Sequence, residues 1–341
     1  MSGVDPNRAG VLVVGGGSSL PPASGANEIP VSSGAGTTYV ATSAAGVRAA
    51  LSTGSSTAGL LSALPGSASE GDSYYCTDTG DRFVWLNGAW CYVNGSAYQT
   101  LATAAGSSPT LHVRADLGVT SSSGVVSAWA NQGSVAVNGS QGTAGYRPTI
   151  VSGLAPNGKP GIVFDGTDDS IDFAYDAAWA PAAMTVCVVA DVRGSGTQII
   201  VGVPYSDTAN TSPFGVWYFS NTSGTTLGLR IGASTSSAMT IARPGGGTIF
   251  AGPRVYCYSN VTGASNRIFR VGGRQLASPD TGATPANTNS SKLRIGANGA
   301  NGEAADMVLY EVALWSSVLS VAQKAAVEAQ MSQRWGVPLT W

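Results

Sequence analysis

From Pro109 onward the chain repeats one pattern. A run of four to nine residues rich in Val, Ile, Tyr and Phe ends in Gly, Asn, Ser or Pro and begins again every 8–14 residues. Such runs occur at 111–114, 161–164, 184–190, 198–203, 214–219, 226–231, 254–258, 266–271, 292–295 and 307–315. Many short strands with hairpin-length connections, and no helical periodicity between them, specify an antiparallel sandwich. One helix follows. Ser320 and Gln323 form a capping box, the helix runs through Arg334, and Gly336 and Pro338 stop it.

Composition narrows what this sandwich does. Only 11% of the 341 residues are charged and the net charge is −2, which leaves no basic field for nucleic acid. With 43% hydrophobic residues the chain has material for a core, unlike a solvating disordered segment. His112 is the only histidine, so zinc sites built from several imidazoles are excluded. No apolar run approaches the ~18 residues of a membrane span. The apolar stretch at 9–15 reads as a short strand, too weak for a leader, so synthesis and assembly in the cytoplasm are expected.

Residues 1–70 are a Gly/Ser/Ala/Pro-rich arm with a short helix near 43–52, too short to stand alone in water. The arm is expected to anchor the chain to sister copies or to a larger assembly. Residues 71–95 read as a three-stranded meander: Asn87-Gly88 is a two-residue hairpin signal that pairs Leu86 with Ala89 and Trp85 with Trp90. Phe83, Trp85, Trp90 and Tyr92 then line one face, joined by Tyr75 if the first loop has three residues. Cys76 and Cys91 fall on the two outer strands, about 9.6 Å apart and beyond the ~7 Å a disulfide spans. Cys187 and Cys257 sit inside apolar runs and read as buried thiols, so all four cysteines are expected to be reduced. Residues 96–108 read as a linker and 109–341 as the sandwich domain.

The closing block, MVLYEVALW at 307–315, LSVAQKAAVE at 319–328 and RWGV at 334–337, resembles the last strand and helix of concanavalin A-like, laminin-G-like jelly rolls. The opening block agrees: VRADLG at 113–118, VSAWAN at 126–131, RPT at 147–149 and KPGIVFDGTDD at 159–169. Together they cover about 230 residues. The segments GDSYYCTDTG at 71–80, VWLNGAW at 84–90 and AAGVRAAL at 44–51 are similar to small modules of tailed-bacteriophage virion proteins. The resemblance implies an all-β jelly roll with one C-terminal helix, behind a meander and an extended arm. It also implies a non-enzymatic virion protein, usually a homotrimer, held to other virion proteins through residues 1–70. A tail or head fibre contacting host surface glycans, a capsid decoration protein without ligand, and an adhesin or glycan-active protein with the same jelly roll are the competing readings.

Candidate sites follow from residue chemistry. Asp165, Asp168, Asp169 and Asp172 offer closely spaced hard oxygen ligands for Ca²⁺, against the simpler reading of a hairpin turn. Trp179, Trp217 and Tyr218 are candidate glycan-stacking rings, against core packing. No catalytic residue is assigned. The five glutamates, Glu28, Glu70, Glu303, Glu311 and Glu328, include no pair on one strand. Asp169 and Asp172 differ by three and fall on opposite faces of any regular strand. His112, flanked by Leu111 and Val113, reads as a structural strand histidine.

Overall fold

The computed structural model describes residues 56–69, 72–79, 81–86, 89–92, 99–179, 181–193, 198–203, 252–261, 268–276, 292–297 and 304–339, with strand backbone also at 28–32, 39–43, 217–221, 226–231 and 239–242. The apolar stretch at 9–15 lies outside the described residues, as does the expected helix near 43–52 apart from Ser43. Strands β1 (Glu28–Ser32) and β2 (Tyr39–Ser43) pair antiparallel.

The first small sheet carries four strands: β3 (Ser56–Gly59), β4 (Ser73–Cys76), β5 (Arg82–Leu86) and β6 (Ala89–Tyr92). The hairpin register is as expected, with Leu86 opposite Ala89 and Trp85 opposite Trp90. Two expectations are corrected. The meander gains β3, which runs parallel to β4, so residues 56–69 belong to this module rather than to the arm. Tyr74, not Tyr75, joins the aromatic face, because Cys76 N–H donates to Asp81 O and leaves a loop of four residues instead of three. A one-residue change of register exchanges the faces of a strand. Tyr74, Cys76, Phe83 and Trp90 form the buried face, roofed by Leu61, Leu64 and Ala68. Trp90 Nε1 donates to Pro65 O (2.7 Å) and Tyr74 Oη donates to Leu60 O (3.0 Å), so the aromatic polar tips are satisfied under that roof.

The expected linker contains a short helix, α1 (Leu101–Ala105), opened by Thr100, whose side chain accepts from Thr103 N–H, and closed by Gly106 at φ 71°. The sandwich begins with β7 (Leu111–Arg114), β8 (Val119–Ser122), β9 (Val125–Trp129), β10 (Gly139–Ser140), β11 (Thr149–Val151), β12 (Gly161–Asp165) and β13 (Ile171–Phe173). It continues with β14 (Ala183–Val192), β15 (Gln198–Val203), β16 (Trp217–Asn221), β17 (Thr226–Ile231) and β18 (Met239–Ala242). The last strands are β19 (Arg254–Val261), β20 (Ile268–Val271), β21 (Arg274–Leu276), β22 (Leu293–Ile295) and β23 (Asp306–Trp315).

Every pairing among β7 to β23 is antiparallel, giving the expected all-β sandwich. One layer runs β23–β14–β19–β20–β21, with β12 and β7 sharing the far edge of β23. The other runs β9–β10–β13–β22–β15–β16–β17–β18. β11 pairs with both β9 and β12 and so joins the layers along one side. Trp129, Phe164, Phe173 and Trp179 are among the rings buried in the core.

The long helix α2 (Val321–Trp335) packs on β14 and β19, which is why β14 and β23 are buried along nearly their whole length instead of alternating. Its capping box and its stop at Gly336, φ 67°, are those expected from the sequence. Its buried face carries three charges: it consists of Lys324, Val327, Glu328, Gln330, Met331, Arg334 and Trp335. Lys324 Nζ donates to Ser259 Oγ (2.6 Å), and Arg270 Nε donates to both carboxylate oxygens of Glu328 (3.0 Å each). α1 lies against it, with Gln99 N–H donating to Gln330 Oε1 (2.9 Å).

The expectation of four reduced cysteines is corrected at one pair. Cys187 and Cys257 stand opposite each other on β14 and β19 and are joined as a disulfide, while Cys76 and Cys91 are buried thiols outside any disulfide. Each apolar run hides its cysteine correctly, but the pairing of runs 70 residues apart is set by topology. Peptide mapping of unfolded, alkylated protein without reductant is expected to recover Cys187 and Cys257 as one linked species and Cys76 and Cys91 as alkylated thiols. Four alkylated thiols would contradict the pairing.

Candidate functional site

Alternation along β7 sends Leu111 and Val113 into the core and leaves His112 and Arg114 on the side facing α2. A bulge in β23 supports the same arrangement: Val189 pairs with Glu311 and Ala190 with Leu309, so Tyr310 is the extra residue. Tyr310 and Glu311 therefore both reach the last turn of α2. Tyr310 packs against the Trp335 ring (5.6 Å between centroids), and Glu311 Oε2 accepts from Trp335 Nε1 (2.7 Å).

Glu311 is fully buried. Its Oε1 also accepts from Arg334 Nη1 (2.5 Å) and from His112 Nε2 (2.7 Å). Burial alone pushes its carboxyl pKa up, but the Arg334 charge and the His112 hydrogen bond outweigh it and hold the group at about 2. Burial pushes His112 down against the pull of Glu311, so the imidazole is neutral at pH 7. Since ionised Glu311 only accepts, the ring proton sits on Nε2 and Nδ1 is left as an acceptor. Among the described residues no hydroxyl or thiol hydrogen-bonds to Nδ1.

A second group of charges adjoins this one. Arg114 donates from Nε and Nη2 to Asp116 (2.9 and 2.8 Å). Lys159 Nζ donates to Asp116 Oδ2 (2.8 Å) and to Asp81 Oδ1 (2.6 Å), and lies 5.6 Å from the centroid of the Trp335 ring. Arg114 Nη2 is 3.6 Å from Asp81 Oδ2. Burial works against the Asp116 charge, yet Arg114 and Lys159 hold its carboxyl below the usual range. Asp81, Asp116 and Glu311 balance Arg114, Lys159 and Arg334. With His112 neutral, the cluster has no net charge, and its contacts join β7, β23, the end of α2, the loop of Lys159 and the small sheet.

The sequence-derived sites resolve differently. Asp165, Asp168 and Asp169 do converge, with carboxylate oxygens within 4.8 Å of one another. Asp165 Oδ1 accepts from the N–H of Thr167 (2.8 Å) and Asp168 (3.4 Å), and Asp169 Oδ2 accepts from Asp165 N–H (3.0 Å). Gly166 supplies the positive φ of 76° that the turn requires. Asp172 stands apart from the other three, on β13 opposite Arg294, bound to Arg294 (2.5 and 3.0 Å) and to Lys292 (2.8 Å). Ca²⁺ takes six to eight oxygens, and here two of the three converging carboxylates already serve the turn's own N–H groups. Asp165, Asp168 and Asp169 thus take part in a hydrogen-bonded turn. Burial, then the Asp165 charge, pushes Asp169 up to about 6.

Trp179 is fully buried, donates from Nε1 to Ala174 O (2.8 Å) and meets Phe173 edge-on, so it is a core residue and not a glycan platform. Trp217 and Tyr218 lie on β16, and their side chains are outside the described residues. The exposed aromatic rings among the described residues are Tyr75, Tyr146 and Tyr175, none of which the sequence offered as a glycan-stacking ring. The sequence also missed the partnership of His112 with Glu311, which lie 199 residues apart with no shared motif.

No family model and no curated protein matches the chain. Among solved structures it is similar to a Trypanosoma rangeli sialidase in complex with the inhibitor DANA, at 13% identity and a TM-score of 0.46 over 77% of this chain and 44% of that one. It is similar to the binding domain of Paraclostridial Mosquitocidal Protein 1, at 14% identity and 0.47 over 67% of this chain and 55% of that one. It is also similar to the CBM40 of a Ruminococcus gnavus IT-sialidase bound to alpha2,3 sialyllactose, at 12% identity and 0.40 over 49% of this chain and 96% of that module. The chain spans less than half of the sialidase's length. The sandwich stands on its own strand pairings, independent of these likenesses.

Two titrations test the site. Glu311 has a depressed pKa in the fold, so its contribution is present above the unfolded value of 4.5 and is lost as pH falls toward 2. Glu311→Gln is expected to cost about 3–5 kcal/mol at neutral pH by leaving Arg334 uncompensated. The gap from wild type should narrow as the melt is repeated from about pH 5 down to 2. Asp169 has a raised pKa, so stability is gained as pH falls from about 7 to 4, and the ionised group destabilises the neutral-pH fold by up to ~3 kcal/mol. Asp169→Asn is expected to raise the melting temperature by a few degrees at about pH 7.5 and not at about pH 4. Added Ca²⁺ is expected to leave the wild-type melt unchanged, and a calcium-dependent rise would restore the metal reading.

Proposed function

We propose that this chain is a non-enzymatic structural protein of a tailed-bacteriophage virion. Its sandwich is displayed outward on a tail or head fibre, the N-terminal arm ahead of β3 anchors it to sister chains and other virion proteins, and the particle carries it as a homotrimer. Host surface glycans are the ligand class for the displayed face.

The observation that supports this most directly is the use made of the buried titratable groups. Glu311, His112, Asp116 and Asp81 are the kind of residues from which an acid–base site is made, and each is committed to holding strands, helix and small sheet together. Glu328 is likewise committed to Arg270, and Asp172 to Arg294. That suits a rigid displayed scaffold better than a hydrolase, whose acid and nucleophile must face a cleft. The order of segments supports the same reading: an arm, a small aromatic sheet, then the sandwich.

Labelling purified particles with an antibody to the sandwich, followed by counting copies by quantitative mass spectrometry, tests the reading. Gold confined to appendages at a handful to dozens of copies is the expected result. Hundreds of copies spread over the shell would favour decoration, and absence from particles would overturn the virion assignment. Release of sugars from host surface polysaccharide by the purified protein would overturn the non-enzymatic part.

A further inference from the structure

We propose that Lys159 and Arg114 form a carboxylate socket on the sandwich, and that Asp81 seated in it is the latch that fixes the orientation of the small β3–β6 sheet. This inference concerns the joint itself and holds wherever the protein acts.

The joint has no shared apolar core. The buried cluster of the small sheet (Tyr74, Cys76, Phe83, Trp90) and that of the sandwich have no residue in common among the described residues. What crosses between them is charge. On the sandwich side Arg114, Lys159 and Arg334 face Asp116 and Glu311, one positive charge in excess with His112 neutral. The small sheet supplies the missing negative charge through Asp81, which is 6% exposed against 2% for Arg114.

Both sides are built in advance for this contact. On the small sheet, Thr79 Oγ1 donates to Asp81 Oδ2 (2.7 Å), and Asp81 O accepts from Cys76 N–H (2.8 Å), so Oδ1 is aimed outward at Lys159. On the sandwich, Lys159 sits in a loop pinned to the end of α2: Asn157 Nδ2 donates to Arg334 O (2.7 Å), and Tyr310 Oη donates to Leu154 O (3.1 Å). Asp116 and the Trp335 ring hold the ammonium from the other sides. The ammonium is thereby kept where one more carboxylate completes its coordination. An isolated buried charge is costly, so the socket with its plug removed is a site for a small carboxylate.

The test uses the full chain with spin labels on Ser56→Cys in β3 and Val151→Cys in β11, both exposed positions, while the native thiols of Cys76 and Cys91 are buried. The unaltered latch is expected to give a narrow distance distribution. Asp81→Gly is expected to broaden it, and added formate to narrow it again where chloride at equal ionic strength does not. Lys159→Met is expected to broaden it as Asp81→Asn does, and the double variant to broaden it no further. Additive effects of the two, or formate acting no better than chloride, would overturn the latch. Should Asp81→Gly fail to fold, the Lys159→Met and Asp81→Asn cycle decides alone: additivity overturns the proposal and non-additivity supports it.

Discussion

One carboxylate without access to water organises this molecule. Glu311 is buried in the central strand of a layer, where an uncompensated charge would cost several kcal/mol. Its three donors come from two distant places in the chain: His112 on β7, and Arg334 and Trp335 in the last turn of α2. Satisfying Glu311 therefore requires that the first strand of the sandwich, its last strand and the C-terminal helix all be in place. The bulge at Tyr310 belongs to the same requirement, since it brings two consecutive side chains to the helix where plain alternation would bring one. Arg114 and Lys159 then extend the charge balance outward until Asp81 of the small sheet closes it.

The features legible in the sequence were those decided within a few residues. The Asn87-Gly88 turn fixed its own register, the capping box of Ser320 and Gln323 and the stop at Gly336 bounded the helix, and the apolar runs located most strands of the sandwich. What escaped was decided at long range. β3 pairs parallel with β4, a connection that carries no turn signal. Tyr74 and Tyr75 exchange roles on the length of one loop, which Asp81 settles by accepting from Cys76. Cys187 and Cys257 become neighbours only when β14 is laid beside β19. The site followed the same division: the Asp165–Asp169 turn was visible as a local cluster, while Asp172 left it for Arg294, 122 residues away.

The scarcity of charge in the composition acquires a location. Among the described residues nine Asp, Glu, Lys and Arg are buried: Asp81, Arg114, Asp169, Arg270, Arg294, Glu311, Lys324, Glu328 and Arg334. Such residues are rarely buried unless paired, and eight of these meet a counter-charge or a hydroxyl partner, Asp169 being the exception. A chain with only 11% charge that places so much of it inside keeps a surface of hydroxyls, amides and backbone. A surface of that kind packs against neighbours with little charge to desolvate and few long side chains to immobilise.

Why charge instead of more leucine and valine holds the helix and small sheet in place follows from what each kind of contact specifies. Apolar side chains of similar volume would stabilise such a joint about as well as buried ion pairs do, but they tolerate sliding and repacking. A bidentate Arg270–Glu328 pair, an Arg334–Glu311 contact and an Asp81–Lys159 contact each tolerate one geometry and penalise the alternatives by leaving a charge unpaired. α2 has only Val327, Met331 and Trp335 as its large buried apolar side chains, so its register on the sheet is set by Lys324, Glu328 and Arg334. The small sheet, whose core is four residues, is in the same position. At the helix the apolar contacts supply adhesion and the buried charges select the arrangement, while at the small sheet the Asp81 contacts with Lys159 and Arg114 carry the joint.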